Sequence, residues 1–129
     1  MRHPLEEFQF TNENPPRLLR PEERELIRYL LLTVAKPYPL SSGLLETSKV
    51  HDLNDGGMGS VRFLVPPPQI FGKILAEAAY TDADGVLVLI TINADQLGRL
   101  FEIDFWKADF GTLRRYPHPD ALNLKRDTG

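Results

Sequence analysis

Residues 86–107 read VLVLITINADQLGRLFEIDFWK, and this stretch decides the fold. Its first part, from Val86 to Asn93, begins with a run that is apolar on both faces of an extended chain. Such a run predicts a central strand that is at least partly covered on each side. From Arg99 to Lys107 the residues alternate between apolar and polar, which predicts a second strand because successive strand side chains point to opposite faces. The loop between them, from Asn93 to Gly98, is short, as expected between neighbouring antiparallel strands.

The segments before this stretch predict more strands and one long helix. Proline at position 21, glutamates in the first turn and apolar residues at helical spacing predict a helix from Pro21 to Ala35. A short second helix is expected between Leu40 and Thr47. The remaining predicted strands run over residues 49–54, 59–65 and 73–81. The sequence therefore predicts an α+β domain, with an N-terminal helix packed on an antiparallel meander sheet of four to five strands.

The chain divides into three predicted parts. Residues 1–17 are polar and predict an extended N-terminal arm, in which Phe8 and Phe10 alternate as in a strand and are expected to dock on the body. Residues 18–116 form the α+β domain. Residues 117–129 are expected to be a flexible C-terminal tail.

The composition excludes several classes of protein. A chain of 129 residues with 42% hydrophobic and 26% charged residues is expected to form one ordinary domain. Without cysteine it has no disulfide framework and no thiolate metal site. No apolar run is long enough to cross a membrane, and the N-terminus has no apolar signal region, so the cytoplasm is the expected location.

The charge distribution bears on possible partners. Residues 51–100 carry three basic and six acidic residues, and the net charge of the chain is −3. Nucleic-acid binding usually requires a basic patch, so no nucleic-acid partner is expected. The charge favours a protein partner, and a basic one.

The candidate binding residues lie around the last strand. Glu102 and Asp104 are two residues apart and therefore share a face, which Trp106 continues. Glu77 and Arg62, on neighbouring strands, are expected to reach that same face. Three interpretations remain open: a solvated strand face balanced by nearby basic side chains, a surface that binds a protein, or a catalytic or metal site.

Three further features have structural interpretations. The segment DGGMGS at residues 55–60 predicts a turn, because the phosphate-binding loop requires a Gly-Lys-Ser/Thr ending and a following helix. The segment DADG at residues 82–85 predicts a solvated β-turn, since the later calcium-ligand positions are apolar. Trp106 is expected to cover one end of the core, or to pack under the tail with Phe110.

Four segments together carry a resemblance to a family. They are LRPEERELI at residues 19–27, DGGMGS at 55–60, DADGV at 82–86 and LFEIDFWKADF at 100–110. The sequence resembles an uncharacterised family of small bacterial single-domain proteins, over residues 17–116. The last segment is also similar to segments of small immunity proteins from bacterial toxin systems. The resemblance implies no activity, cofactor or catalytic residue.

Three functional hypotheses follow. The first is a non-catalytic binding module, of the immunity type in one version, which uses the acidic strand face and needs no cofactor or metal. The second is a small metal-dependent hydrolase with Glu77, Glu102, Asp104 and Asp109 as ligands or as acid and base. The third is a homo-oligomer built through sheet edges or the arm. The absence of a strong catalytic motif favours the first.

Overall fold

The computed structural model describes residues 14–33 and 38–125. Within these residues the chain forms two α-helices, one 3-10 turn and seven strands. The helices are α1 (Pro21–Thr33) and α2 (Leu44–Thr47), and the 3-10 turn is Pro119–Ala121. The strands are β1 (Arg17–Leu18), β2 (Lys49–Asp52), β3 (Val61–Phe63), β4 (Phe71–Thr81), β5 (Leu87–Asp95), β6 (Leu100–Lys107) and β7 (Asn123–Lys125). The α+β class is confirmed, and the sheet has more strands than the four to five predicted.

The seven strands form one antiparallel sheet in the order β1-β2-β3-β6-β5-β4-β7. Strands β4, β5 and β6 form the predicted meander. The prediction of a single meander is wrong at β3, which pairs with β6 rather than with β4. A proline run at residues 66–68 follows β3 and cannot supply ladder hydrogen bonds, so the chain crosses to β4 before it pairs again.

The two additional strands lie at the edges of the sheet. β1 has two residues and β7 has three, too few for an alternating pattern to predict them. β1 lies at the end of the predicted arm, and β7 lies inside the predicted tail. The division into arm, domain and tail stays a prediction, although both outer segments contribute a strand. Phe8 and Phe10 lie outside the described residues.

Helix α1 begins where the sequence predicts. The backbone N–H of Arg20 donates to the Glu23 carboxylate at 2.7 Å, which satisfies an amide that the helix itself leaves without a partner. Four apolar residues on one face, Leu26, Ile27, Leu30 and Leu31, are fully buried against the sheet. The helix ends at Thr33 in the described residues, and the predicted end at Ala35 lies outside them.

The sheet has two unlike faces. The core face packs against α1 through side chains such as Val61, Ile92, Ile103 and Phe105. The opposite face, here called the open face, consists of three rows that run across the strands. The charged row is His51, Arg62, Glu102 and Asn93; the middle row is Asp104, Thr91 and Glu77; the apolar row is Trp106, Leu89 and Ala79. Directly paired residues on adjacent strands share a face, so each row is a line of neighbouring side chains.

Candidate functional site

The charged row contains an ion pair that is buried on the open face. Arg62 Nη2 donates to Glu102 Oε2 at 2.8 Å, and both side chains are less than a tenth exposed. The Arg62 guanidinium also lies 4.8 Å from the centre of the Phe101 ring. The structure therefore brings these two predicted residues together, but as an internal pair. The interpretation of Glu102 as part of a solvated face is wrong.

Asn93 completes this arrangement and leaves one acceptor open. Its Nδ2 donates to Glu102 Oε1 at 3.0 Å, and this bond fixes the orientation of the amide. Its Oδ1 is buried and accepts no hydrogen bond from any residue that the structure describes. A buried acceptor without a donor costs about 1–3 kcal/mol. No feature of the sequence marks Asn93 beyond its place in the predicted strand that begins at Val86.

The middle row holds the other two predicted carboxylates. Asp104 is half-buried, and Ser60 Oγ lies 3.5 Å from its Oδ1. Glu77, also half-buried, lies across Thr91 from Asp104 in the register. The two carboxylates stand on strands separated by β5, so their backbones are about 10 Å apart at the usual strand spacing. Asp104 and Glu77 are therefore two separate acidic positions on the open face, and their carboxylates do not converge on one point.

Two of the four residues expected as metal ligands, Glu102 and Asp109, already accept hydrogen bonds within the domain. Glu102 is already bound by Arg62 and Asn93, and the exposed Asp109 accepts from the N–H of Gly111 at 2.8 Å. Among residues 14–33 and 38–125, no group of three or more His, Asp or Glu side chains is placed to hold a metal ion.

The apolar row lies at the opposite end of the open face from the charged row. Trp106 and Leu89 face each other across β6 and β5, and each is about two-fifths exposed. The Trp106 ring makes an edge-to-face contact with Phe110, with 6.0 Å between ring centres. Leu87 and Phe110 are also exposed, so Leu87, Leu89, Trp106 and Phe110 form what we call the apolar cluster. Of the two expected positions for Trp106, contact with Phe110 is confirmed and a place over the core is wrong.

Lys107 forms a second charged cluster, on the core side of the sheet. Its Nζ donates to Asp82 Oδ2 at 2.9 Å, to Asp84 Oδ2 at 2.6 Å and to the Thr112 carbonyl at 2.9 Å. We call these residues the Lys107 cluster. The DADG segment is a turn, as predicted, because Gly85 N–H donates to the Asp82 carbonyl. Three of its four residues are exposed, as expected for a solvated turn, whereas Asp82 is buried together with Lys107.

Hydrogen bonds control the ionisation of Asp82. Burial alone would raise the pKa of this carboxyl. The N–H groups of Arg114, Ala83 and Arg115 and the Lys107 ammonium all donate to it, and together they lower its pKa to about 2. The cluster therefore stays charged at neutral pH. All three N–H bonds of the ammonium are used, so it has no donor left for a substrate.

The glycine-rich segment at residues 55–60 forms the predicted turn. Asp55 accepts from the N–H of Met58 at 3.0 Å and from that of Ser60 at 3.1 Å, which closes the loop on itself. Gly59 has a φ of 105°, which favours glycine, and a Cβ there would lie 3.4 Å from Leu113. The loop carries Ser60 to its position beside Asp104.

No helix in the described residues is long and apolar enough to cross a membrane. A family model described as "Domain of unknown function (DUF6984)" matches residues 16–117. No curated protein matches the chain, and no solved structure does.

Proposed function

The chain belongs to the DUF6984 family, whose description assigns no activity, and we propose that the domain is a non-catalytic protein-binding module. In this proposal the partner docks on the apolar end of the open face. The apolar cluster is the observation that carries it: Leu87, Leu89 and Trp106 are exposed on neighbouring strands, and the exposed Phe110 contacts Trp106 from the segment after β6. Such clusters on a soluble domain are typical of interaction surfaces, and tryptophan is among the residues that contribute most to binding.

The chemistry of the partner follows from what borders the cluster. The half-buried carboxylates of Asp104 and Glu77 lie in the next row, and Asp109 is exposed beside Phe110. A basic segment with an aromatic or aliphatic anchor would place its apolar side chain against Trp106 and its positive charge toward these acids. Charge complementarity of this kind increases the rate of association and makes it sensitive to salt.

The roles of the five candidate residues therefore differ. Trp106 provides the contact surface, and Asp104 and Glu77 provide negative charge. Arg62 and Glu102 form an ion pair between β3 and β6 at the buried end of the open face. An immunity-type role, in which the domain blocks a basic toxin domain in the cytoplasm, is one specific form of this function.

The test compares a double substitution in the apolar cluster with a control substitution of an exposed apolar residue elsewhere. Wild type, Trp106→Ser/Phe110→Ser and the control Leu32→Ser would each be immobilised and exposed to lysate of the source organism. Leu32 is the most exposed large apolar residue of α1, on the other side of the sheet. The captured protein would then be purified, and its affinity for each variant measured at low and high salt.

We expect Trp106→Ser/Phe110→Ser to weaken binding at least about 30-fold, since loss of a central anchor costs 2 kcal/mol or more. Leu32→Ser should bind as wild type does. Asp104→Asn/Glu77→Gln should slow association and reduce its dependence on salt. Equal affinity of wild type and Trp106→Ser/Phe110→Ser for every captured protein would disprove the proposal, as would binding only to a second copy of the chain. Glu102→Lys is unsuitable here, because it would break the buried pair with Arg62 and confuse folding with binding.

A further inference from the structure

Trp106 and Phe110 form a right-angled corner in the apolar cluster, which we call the aromatic recess. Their rings are perpendicular, with 6.0 Å between ring centres, and the two residues are 40% and 66% exposed. A group in the corner between two such rings can lie within about 6 Å of both ring centres, which is the range of a cation–π contact. Because the face of an aromatic ring is electron-rich, the recess offers two attractive surfaces to one cation.

The backbone at Phe110 is strained in the conformation that carries its ring. Its φ is 60°, and among the residues that the structure describes no other residue except glycine has a positive φ. Bulky side chains rarely adopt this conformation. The turn after β6 maintains it, because the Phe110 N–H donates to the Lys107 carbonyl at 2.9 Å. Strain of this kind is typical of binding sites, and burial does not compensate for it here, since the Phe110 ring is exposed.

Asp109 adds a negative charge beside the aromatic recess. It is exposed and directly precedes Phe110. Its Oδ1 accepts from the Gly111 N–H at 2.8 Å, which keeps the carboxylate close to the turn that carries the Phe110 ring. An ionised carboxylate has about four acceptor sites, so Asp109 can accept from a ligand as well. On the strand next to Trp106, the exposed Leu89 adds an apolar surface.

We propose that the aromatic recess binds an arginine side chain of the partner; this inference rests on the proposed function and specifies the group that is recognised. The planar guanidinium stacks on the rings of Trp106 and Phe110 and donates to the Asp109 carboxylate. The methylene groups of the same arginine lie against Leu89. Lysine fits this site less well, because its compact ammonium is strongly hydrated and cannot stack on a ring.

Tripeptides of the form acetyl-Gly-X-Gly-amide, with arginine, lysine or citrulline as X, would test the recess. Citrulline has nearly the shape of arginine without its positive charge. Each peptide would be titrated into the full chain and followed by NMR at the indole N–H of Trp106 and the amide of Phe110. Trp106 is the only tryptophan in the sequence, so its fluorescence gives a second measurement at the same site.

We expect the arginine peptide to bind at least about fivefold more tightly than the citrulline peptide, as a cation–π contact at a partly exposed site predicts. It should also bind more tightly than the lysine peptide. Phe110→Leu should reduce the preference for arginine by removing one ring. Asp109→Asn should reduce it by removing the charge, while its amide oxygen can still accept from the Gly111 N–H. The control Asp120→Asn removes an exposed carboxylate elsewhere and should leave the preference unchanged.

Equal affinity for the arginine and citrulline peptides, or for the arginine and lysine peptides, would overturn the proposal. A titration with the arginine peptide that does not saturate, or that changes signals elsewhere but not at Trp106, would also overturn it.

This inference and the proposed function can fail separately. If Trp106→Ser/Phe110→Ser loses a captured protein but arginine is not preferred, the docking surface stands and the arginine site is overturned. If arginine is preferred but no captured protein depends on these two residues, the protein-binding function is disproved and the recess is still a site for guanidinium groups.

Discussion

The Lys107 cluster and the Arg62–Glu102 pair are two buried ionic groups in one small sheet, and they are completed in different ways. Lys107 gives each of its three N–H bonds to an oxygen, and Asp82 accepts from the backbone of Arg114 and Arg115. The Arg62–Glu102 pair has Asn93 beside it, whose Oδ1 accepts nothing from the described residues. The first group is satisfied among the described residues, whereas one buried acceptor beside the second, Asn93 Oδ1, has no donor among them.

The two groups also differ in which parts of the fold they join. The Lys107 cluster joins the β4–β5 turn, the end of β6 and the segment at residues 112–115, all on the core side. Its polar groups satisfy one another, as buried ions must if they are to be tolerated. The Arg62–Glu102 pair joins β3 to β6 on the open face, the face that also carries the apolar cluster. We expect the loss of stability to be larger for substitutions in the Lys107 cluster than for substitutions in the Arg62–Glu102 pair.

The largest effect is expected from Lys107→Met. This change leaves Asp82 and Asp84 charged and close together, without the ammonium that lies between them. Breaking a buried ionic network on one side is strongly destabilising, so the melting temperature should fall by roughly 10 °C or more. Differential scanning calorimetry would measure it, with Lys73→Met, an exposed lysine of β4, as the control. A fall no larger than that of the control would remove the structural role of the cluster.

The next largest effect is expected from Arg62→Met. The substitution leaves the Glu102 carboxylate buried without its guanidinium, at a cost of about 3 kcal/mol in the free energy of unfolding. The double variant Arg62→Met/Glu102→Leu should recover most of this loss, because no unpaired charge is then buried. Urea unfolding of the two single variants and the double variant gives the coupling energy between the side chains. A coupling energy near zero would mean that the two side chains are solvated and do not act as a buried pair.

The elements that could be predicted from the sequence are those with a residue pattern that continues over many neighbouring positions. Helix α1 could be predicted because Pro21, Glu22 and the apolar residues from Leu26 onward agree on one start and one face. The alternation around Glu102 placed Asp104 and Trp106 on the same side of β6, and this is confirmed by their register with β5. The edge strands β1 and β7 could not be predicted, because two or three residues carry no period.

The partners of the buried charged residues could not be predicted, because they lie far away along the chain. Alternation places Lys107 on the same face as Ile103 and Phe105, which is a signal for a buried lysine, but its partners lie 23 and 25 residues away in a segment typical of a solvated turn. The burial of Glu102 has the same explanation. An alternating strand shows that its acids share a face, but whether that face meets water depends on the three-dimensional contacts of distant segments.

A moderate effect is expected in acid from Asp82→Asn. The pKa of Asp82 in the folded protein, about 2, lies below the ordinary value of 3.8, so its charged form stabilises the fold. That contribution is complete above about pH 5 and is lost as the pH falls through 3.8 toward 2. The melting temperature of wild type should therefore fall more steeply over this range than that of Asp82→Asn, which should be less stable at pH 7.

The control for the acid experiment is Asp120→Asn, which removes an exposed carboxylate. Its melting curve should follow wild type at every pH, since a solvated carboxyl group contributes little to folding. Parallel pH dependence of wild type and Asp82→Asn would show that other carboxylates are responsible for the acid sensitivity.

The smallest effect is expected from two tyrosines, Tyr80 and Tyr116, whose hydroxyl groups differ in the same way as the two ionic groups. Tyr80 donates its hydroxyl to the Arg115 carbonyl at 2.9 Å, beside the Lys107 cluster. The hydroxyl of Tyr116 is buried without a hydrogen-bond partner in the described part of the chain, and its ring packs 5.4 Å from that of Phe105. Removing a satisfied hydroxyl costs about 1 kcal/mol, whereas removing an unsatisfied one costs nothing or stabilises. Tyr80→Phe should therefore lower the free energy of unfolding, and Tyr116→Phe should leave it unchanged or raise it. Urea unfolding of both variants would measure the difference, and equal losses would show that Tyr116 has a bound water or another partner that completes it in solution.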